Sequence, residues 1–402
     1  MPLTKNPLRR HFCGALAAAA LVLPLSVAAQ KKYDTGASDT EIKIGNFGPY
    51  SGPVAAYGTI GRTYAAYFRK INEEEGGVNG RKINMISLDD AYNPAQSVEQ
   101  TRKLVERDRV LLLFAPLGTS HNQAILRYVN QRKIPHLFIA SGAARWGNYK
   151  ENPWTMGWQP TYDLESRVFA EHILKTRPQA KIGILVQNDD FGKDNLDGFL
   201  KGLGEKAKTM VVSQQSYEIS DPTIDSQIVA LKNSGADTFI NLTTPKFAAQ
   251  AIRKAAEIGW KPVHYMSSVS GSINQVMQPA GVENAKGVMT SSYLIDPSDP
   301  EFKDTQVVKD YLAFMKKYYP EGNPDDALNS SAYARAISLV ELLRQCGDDL
   351  TRANIMKQAA NLDLQLPMLY PEIRFKTGPD DFYPIENVRL MRFDGARFVP
   401  VE

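Results

Sequence analysis

From residue 41 to residue 294, short apolar runs alternate with longer stretches of helical period. The runs are IKIGNF (42–47), KINMISL (82–88), VLLLFA (110–115), PHLFIA (135–140), KIGILV (181–186), MVV (210–212), TFINL (238–242), VHYM (263–266) and VMTSSYL (288–294). Several are apolar on consecutive rather than alternate residues, the pattern of strands buried on both faces of a parallel sheet. Between them Ala95 to Arg107, Asn122 to Arg132, Leu164 to Lys175, Asp194 to Lys206, Asp225 to Asn233 and Phe247 to Ile258 read as amphipathic helices. Strands and helices alternating in this way predict an α/β fold. The rhythm breaks around Trp154 to Asp163, between two sets of similar size, and predicts two lobes. Beyond residue 294 two long helices are predicted, Pro300 to Tyr319 and Asp325 to Gln345, the second with Ala332, Ala336, Leu339, Val340 and Leu343 on one stripe. The tail reads as a hairpin, with NVRLMRF and ARFVPV flanking Asp394-Gly395, a two-residue turn signal.

The residues that follow each strand run carry the first functional hint. They are Gly48-Pro49-Tyr50-Ser51-Gly52, Asp89-Asp90, Pro116 to Ser120, Ser141-Gly142-Ala143, Gln187 to Gly192, Thr243-Thr244-Pro245 and Ser267 to Gly271, short and rich in Gly and Ser. Taken singly these are helix caps and turns. Open parallel sheets bind ligands outside the carboxyl ends of their strands, where helix N-termini offer free amides, so the set together predicts a binding edge.

Composition narrows the class. With 43% apolar, 23% charged and 9% aromatic residues over 402 positions, the chain is globular rather than disordered, collagenous or coiled-coil. The formal net charge of +3 comes from 47 basic and 44 acidic side chains, and Lys5, Arg9 and Arg10 at the start account for all of it. The remaining body is neutral, which gives no basis for binding nucleic acid by counterion release. The opening basic stretch leads into the apolar run FCGALAAAALVLPLSV and then Val27-Ala28-Ala29, the order of a cleaved secretory signal peptide over residues 1–29. Cys13 opens that run instead of following it, which argues against lipid attachment, and its removal leaves Cys346 alone, without an intramolecular disulfide and in a helical context that suits a buried thiol.

Chemistry-bearing motifs are missing from the sequence. There is no phosphate-binding Gly-x-x-x-x-Gly-Lys, no Gly-x-Ser-x-Gly elbow, no Cys-x-x-Cys and no His-Glu-x-x-His. Gly45 to Gly48 does not meet the dinucleotide fingerprint, the histidines are too dispersed for a standard metal spacing, and Asn188-Asp189-Asp190 lacks the spacing of a calcium loop. No enzyme activity, cofactor or metal is therefore expected.

Three opening segments are specific. Ile42 to Gly45 running through Gly48-Pro49-Tyr50-Ser51-Gly52-Pro53 to Tyr57-Gly58, then Ile71-Asn72 with Gly76-Gly77-Val78-Asn79-Gly80, then Asp89-Asp90 with Pro94-Ala95, resemble the Leu/Ile/Val-binding type of periplasmic solute receptor. The resemblance extends from about residue 41 to the C-terminus. It implies a type I periplasmic-binding fold: two Rossmann-like lobes with parallel sheets, a three-crossover hinge and a ligand cleft that closes by hinge motion. The implied lobes are residues 38–157 with 293–368, and 158–292 with 369–402.

The same resemblance implies the ligand site. Leu117, Gly118 and Thr119 match the loop that holds the ligand after the third strand, and Ser141, Gly142 and Ala143 match the turn after the fourth. Tyr57 and Phe191 match aromatic positions on the two lobes; Trp158, Thr244 and Val269 complete the expected set. Gly118 stands where the family offers a serine, Ala143 where it offers a threonine, and Val269 where it offers the glutamate that meets an α-ammonium group. An ammonium desolvated without its carboxylate partner costs several kcal/mol, so a zwitterionic amino acid fits poorly. A carboxylate with an apolar or aromatic body fits better, held by backbone amides and by the hydroxyls of Thr119 and Ser141. Arg145 is either a further anion contact or a surface residue. The expected function is a monomeric periplasmic receptor that delivers its ligand to the permease subunits of an ABC importer. The alternatives are a branched-chain or other amino-acid receptor, a sensor feeding a signalling receptor and an exported α/β enzyme.

Overall fold

A computed structural model describes residues 31–401, so the segment read as a signal peptide lies outside the described residues. Two separate sheets take up the strand runs. The first is built from β1 (Glu41–Gly48), β2 (Lys82–Asp89), β3 (Leu112–Phe114), β4 (His136–Ile139) and β5 (Thr155–Gly157), all parallel, in the order β2-β1-β3-β4-β5. The second holds β6 (Ile182–Gln187), β7 (Val211–Tyr217), β8 (Thr238–Leu242), β9 (Val263–Met266) and β10 (Met289–Ser292) as parallel neighbours, in the matching order β7-β6-β8-β9-β10. Two antiparallel strands at the tail, β11 (Arg389–Phe393) and β12 (Phe398–Pro400), extend it beyond β10.

Burial explains the run lengths. Every residue of β3, β4 and β8 is buried, as a strand covered by helices on both faces requires. β7 lies at the sheet edge, and its burial alternates residue by residue. Only three apolar residues around its start stand together in sequence, so its seven-residue length exceeds the run that announced it. The tail hairpin forms, but Phe393 pairs with Phe398, which leaves a four-residue loop. There the Asp394 carboxylate accepts from the amides of Ala396 and Arg397, at 2.8 and 2.9 Å.

The helices that matter for the site are α1 (Gly58–Glu74), α2 (Pro94–Arg102), α3 (Thr119–Gln131), α4 (Tyr162–Thr176), α5 (Asp190–Leu203), α6 (Asp225–Asn233), α7 (Pro245–Glu257), α8 (Gln306–Tyr318) and α9 (Ala327–Cys346). α1 is absent from the sequence expectations, because its glycines, threonines and tyrosines are weak helix formers. Tertiary packing holds it instead: Tyr64, Tyr67, Phe68 and Ile71 are buried, and Tyr67 meets Tyr333 of α9 edge-on at 5.3 Å between centroids. α8 begins at Gln306, capped by the Thr305 hydroxyl, later than the Pro300 expected. Cys346, at the end of α9, is buried, and that burial pushes its thiol up to about 12, so it stays protonated and inert.

The chain crosses between the sheets three times: after β5, after β10 and ahead of β11. The last two crossings pair with one another, through Ile295 N to Met368 O at 2.8 Å and Tyr370 N to Tyr293 O at 3.2 Å. α9 therefore packs on α1, beside the first sheet, while β11 and β12 complete the second.

Candidate functional site

Both sheets have their switch point where the order reverses, between β1 and β3 in the first and between β6 and β8 in the second. At such a point neighbouring connections depart to opposite faces and leave a crevice at the strands' carboxyl ends. The two crevices face one another across a cavity with an empty volume of about 1270 Å³, its mouth included. Tyr57, Leu117, Gly118 and Thr119 line it from the first sheet, and Phe191, Thr244 and Val269 from the second.

The walls are joined directly. The Tyr57 hydroxyl donates to the Val269 carbonyl at 3.1 Å, and the Asp190 amide donates to the Ser120 hydroxyl at 3.3 Å. Arg145 forms an ion pair with Asp194 and donates to Gln123 at 3.0 Å, so it bridges α3 and α5 and does not line the cavity. Burial raises the Asp194 carboxyl to about 6 even though Arg145 pulls it down. Hydrogen bonds thus link the two walls across the cleft in the described structure.

Most polar groups at the strand edges already have partners. Thr119 and Ser141 share a hydrogen bond of 2.8 Å, and the Trp146 indole donates to Ser141 at 3.1 Å. The Thr244 hydroxyl donates to Gln187 Oε1 at 3.0 Å, and the Tyr217 hydroxyl donates to the same atom at 2.8 Å. Glu165 is buried behind Ser268 and Ser291 of the cavity wall; it accepts from Ser267 at 2.8 Å, from the Ser268 amide at 3.0 Å and from the Ser291 hydroxyl. Burial lifts its carboxyl above the usual range, and these three donors hold it down. Desolvation likewise pushes the Tyr57 and Tyr92 phenols well above their ordinary value, so both remain neutral donors.

Four of the expected contacts do not line the cavity. Ser141, Gly142 and Ala143 turn away from the cavity: a Cβ on Gly142 would lie 2.7 Å from the Pro160 carbonyl of the first crossing, and Ala143 packs with Leu126, Ile139 and Trp146. Trp158 has no exposed surface; its indole donates to Ser338 at 2.8 Å, and the Arg335 guanidinium lies 4.5 Å above its ring. Trp158 is thus a floor beneath Arg335. Gly118 has φ +105°, and a Cβ there would overlap Nδ1 of His121, so the serine that the family offers at this point has no room here.

Sequence reading also missed the hinge end of the cavity, where Leu294, Ile295 and Tyr370 of the crossings meet Leu328, Ser331 and Arg335 of α9. Arg335 is 2% exposed, donates to the Tyr64 hydroxyl at 2.7 Å and to Gln159 at 3.2 Å, and its Nε–H has no partner. A signal existed: Arg335 stands between Ala334 and Ala336 in a largely apolar helix, and neither Asp nor Glu occurs three or four residues away.

A family model described as periplasmic binding protein matches residues 41–397. The chain belongs to that family. The periplasmic binding protein described here is 24% identical over 337 residues to a Leu/Ile/Val-binding protein homolog 7 of Brucella abortus, covering 81% of this chain and 82% of the relative. Its fold is shared with a branched-chain amino acid ABC transporter protein from Thermus thermophilus with bound valine, at TM-score 0.80, 18% identity and coverage of 91% and 96% of the two chains. It is shared too with a fatty acid ABC transporter substrate-binding protein from Thermomonospora curvata, at TM-score 0.76, 20% identity and coverage of 92% and 94%. Membership implies a solute-binding receptor that works outside the cytoplasm with ABC permeases. No helix among the described residues is long and apolar enough to cross a membrane.

Proposed function

We propose that this periplasmic binding protein captures a small carboxylate with an apolar or aromatic body between its lobes and delivers it, as a monomer, to the permease of an ABC importer. The lobes are residues 38–157 with 293–368, and 158–292 with 369–402. The observation that carries the reading is the wall composition. Val269 stands at the second-lobe wall, where an ammonium would need an acid, and Ile60, Leu117, Phe191, Ile273 and Leu294 give the cavity large apolar surfaces. Such a lining favours an apolar ligand body oriented by few polar groups. Contacts to both walls would hold the closed form, and closure is the state a permease would recognise.

A second reading, an amino-acid ligand, draws on Asp296 and Asp325, which line the hinge side of the cavity and would suit an ammonium group. The similar protein with bound valine and the one named for fatty acid support one reading each. A thermal-shift screen of the chain from residue 30 onward against 3-phenylpropanoate, octanoate, benzoate, leucine and valine separates them. At a hundred times its dissociation constant a ligand adds about 2.7 kcal/mol, a rise of a few degrees. A rise with a carboxylate but not with leucine or valine is expected. A rise with leucine or valine alone replaces the carboxylate by an amino acid, and no rise with any of the five overturns the proposal.

A further inference from the structure

We propose that Arg335 is the anchor for the ligand carboxylate, in a hinge-side subsite separate from the strand-edge loops; this rests on the carboxylate reading above. A guanidinium spreads its positive charge over a planar fork of N–H donors. It is almost wholly buried, lines the cavity and forms no ion pair with any carboxylate among the described residues. Its two hydrogen-bond partners, the Tyr64 hydroxyl and the Gln159 side-chain carbonyl, are neutral, and Nε–H has none. A buried charge without a counter-charge is strongly unfavourable, and a side chain kept in that state by surrounding structure is satisfied when an anion enters.

The setting also fixes orientation. Trp158 holds the guanidinium from beneath by cation–π contact at 4.5 Å, and Trp158 is itself pinned to Ser338. Tyr64 and Gln159 hold the two terminal nitrogens, so the planar fork cannot swing away from the cavity. Tyr293 and Ser331, which line the cavity beside it, share a contact of 3.4 Å and supply hydroxyls near the same end. A carboxylate is the planar acceptor that a guanidinium fork matches. The strand-edge alternative is weaker, because Thr119 and Ser141 are each 1% exposed and bonded to one another. With its head at Arg335, the ligand would extend its body along Leu294, Ile60 and Leu117 toward the strand edges, all of them cavity-lining residues.

Calorimetric titration of the chain from residue 30 with 3-phenylpropanoate and octanoate, each beside its uncharged carboxamide, tests the assignment. The unaltered protein is expected to bind the carboxylates about a hundredfold more tightly than the carboxamides, and Arg335→Gln to bring the two within about threefold, chiefly through loss of carboxylate affinity. Should the glutamine variant fail to fold, Arg335→Lys keeps the charge but removes the fork, and a loss of about tenfold for the carboxylates alone is expected. Undiminished carboxylate preference in Arg335→Gln, or undiminished carboxylate affinity in Arg335→Lys, overturns the anchor and leaves the proposed function in place. Failure of the unaltered protein to bind either carboxylate overturns both.

Discussion

The two ends of the cavity differ in how their polar groups are satisfied. At the strand-edge end Thr119 bonds Ser141, Thr244 and Tyr217 bond Gln187, and Tyr57 reaches across the cleft to Val269. Thr290 Oγ1 on the wall and the His121 ring behind Gly118 also lack partners, but at the hinge end it is a charged side chain, Arg335, that keeps a buried donor with none. Self-satisfied groups define shape and rigidity, whereas an unsatisfied buried group defines what must arrive. The contrast teaches that a ligand edge predicted from fold topology and the group that selects the ligand need not coincide.

The contrast is broken most severely at Gly118. With φ at +105° and His121 Nδ1 in the space a Cβ would take, Gly118→Ser, which restores the family's usual hydroxyl, meets both backbone strain and a clash. A loss of about 2–5 kcal/mol in denaturant unfolding is expected, with no gain in leucine binding. A stable, leucine-binding Gly118→Ser protein would show that the strand-edge end is adaptable after all.

Asp194, on the latch between the walls, gives a pH-dependent test. A carboxyl lifted from 3.8 to about 6 binds its proton more tightly in the folded chain than in the unfolded one. Its contribution to stability is therefore complete below about pH 4 and lost as pH rises through about 6. Relative to the unaltered protein, Asp194→Asn should gain stability from pH 4 to pH 7, by at most about 3 kcal/mol, the pull of Arg145 being already contained in the net rise to about 6. Melting curves across that range check it; a difference that does not change with pH would show that burial does not hold the carboxyl at that value.

The smallest effect is expected at Tyr57. Tyr57→Phe removes one hydrogen bond across the cleft, about 1 kcal/mol, and should weaken binding of 3-phenylpropanoate by about fivefold without a change in unfolding slope. Solution scattering of the unliganded variant should show a larger population of open molecules. An unchanged affinity would assign Tyr57 to packing alone.

How much of this was legible in sequence follows from how local each cause is. Most strands of both sheets were visible because burial on both faces forces consecutive apolar residues, as in VLLLFA and TFINL, whereas the three-residue β5 was not, because it falls in the stretch from Trp154 to Asp163 that reads as a break. The edge strand β7 was visible only at its start, since solvent on one face restores alternation, and α1 was not visible because packing on α9 overrides its poor propensity. Tyr57, Leu117, Gly118, Thr119, Phe191, Thr244 and Val269 line the cavity because they sit just beyond strand ends or in motif loops whose direction the α/β topology dictates. Ser141, Gly142 and Ala143 also follow a strand, yet their turn folds back onto Pro160 and Trp146, a choice made by residues distant from that motif.

The sequence by itself determined the α/β class, the alternation that builds two sheets, the family and the strand-edge wall of the cleft. Each of these depends on periodicity or on short contiguous motifs, which are local properties of a chain. Only the tertiary structure decided that Arg335 brings a buried, unpaired donor to the cavity wall, that Trp158 is its floor, and that Arg145 pairs with Asp194 instead of lining the cleft. Those outcomes join residues separated by up to 271 positions, as in the bond from Arg335 to Tyr64, and arise where three chain crossings bring α9 over the hinge. Desolvation depends on everything packed around a group, and no local pattern encodes it.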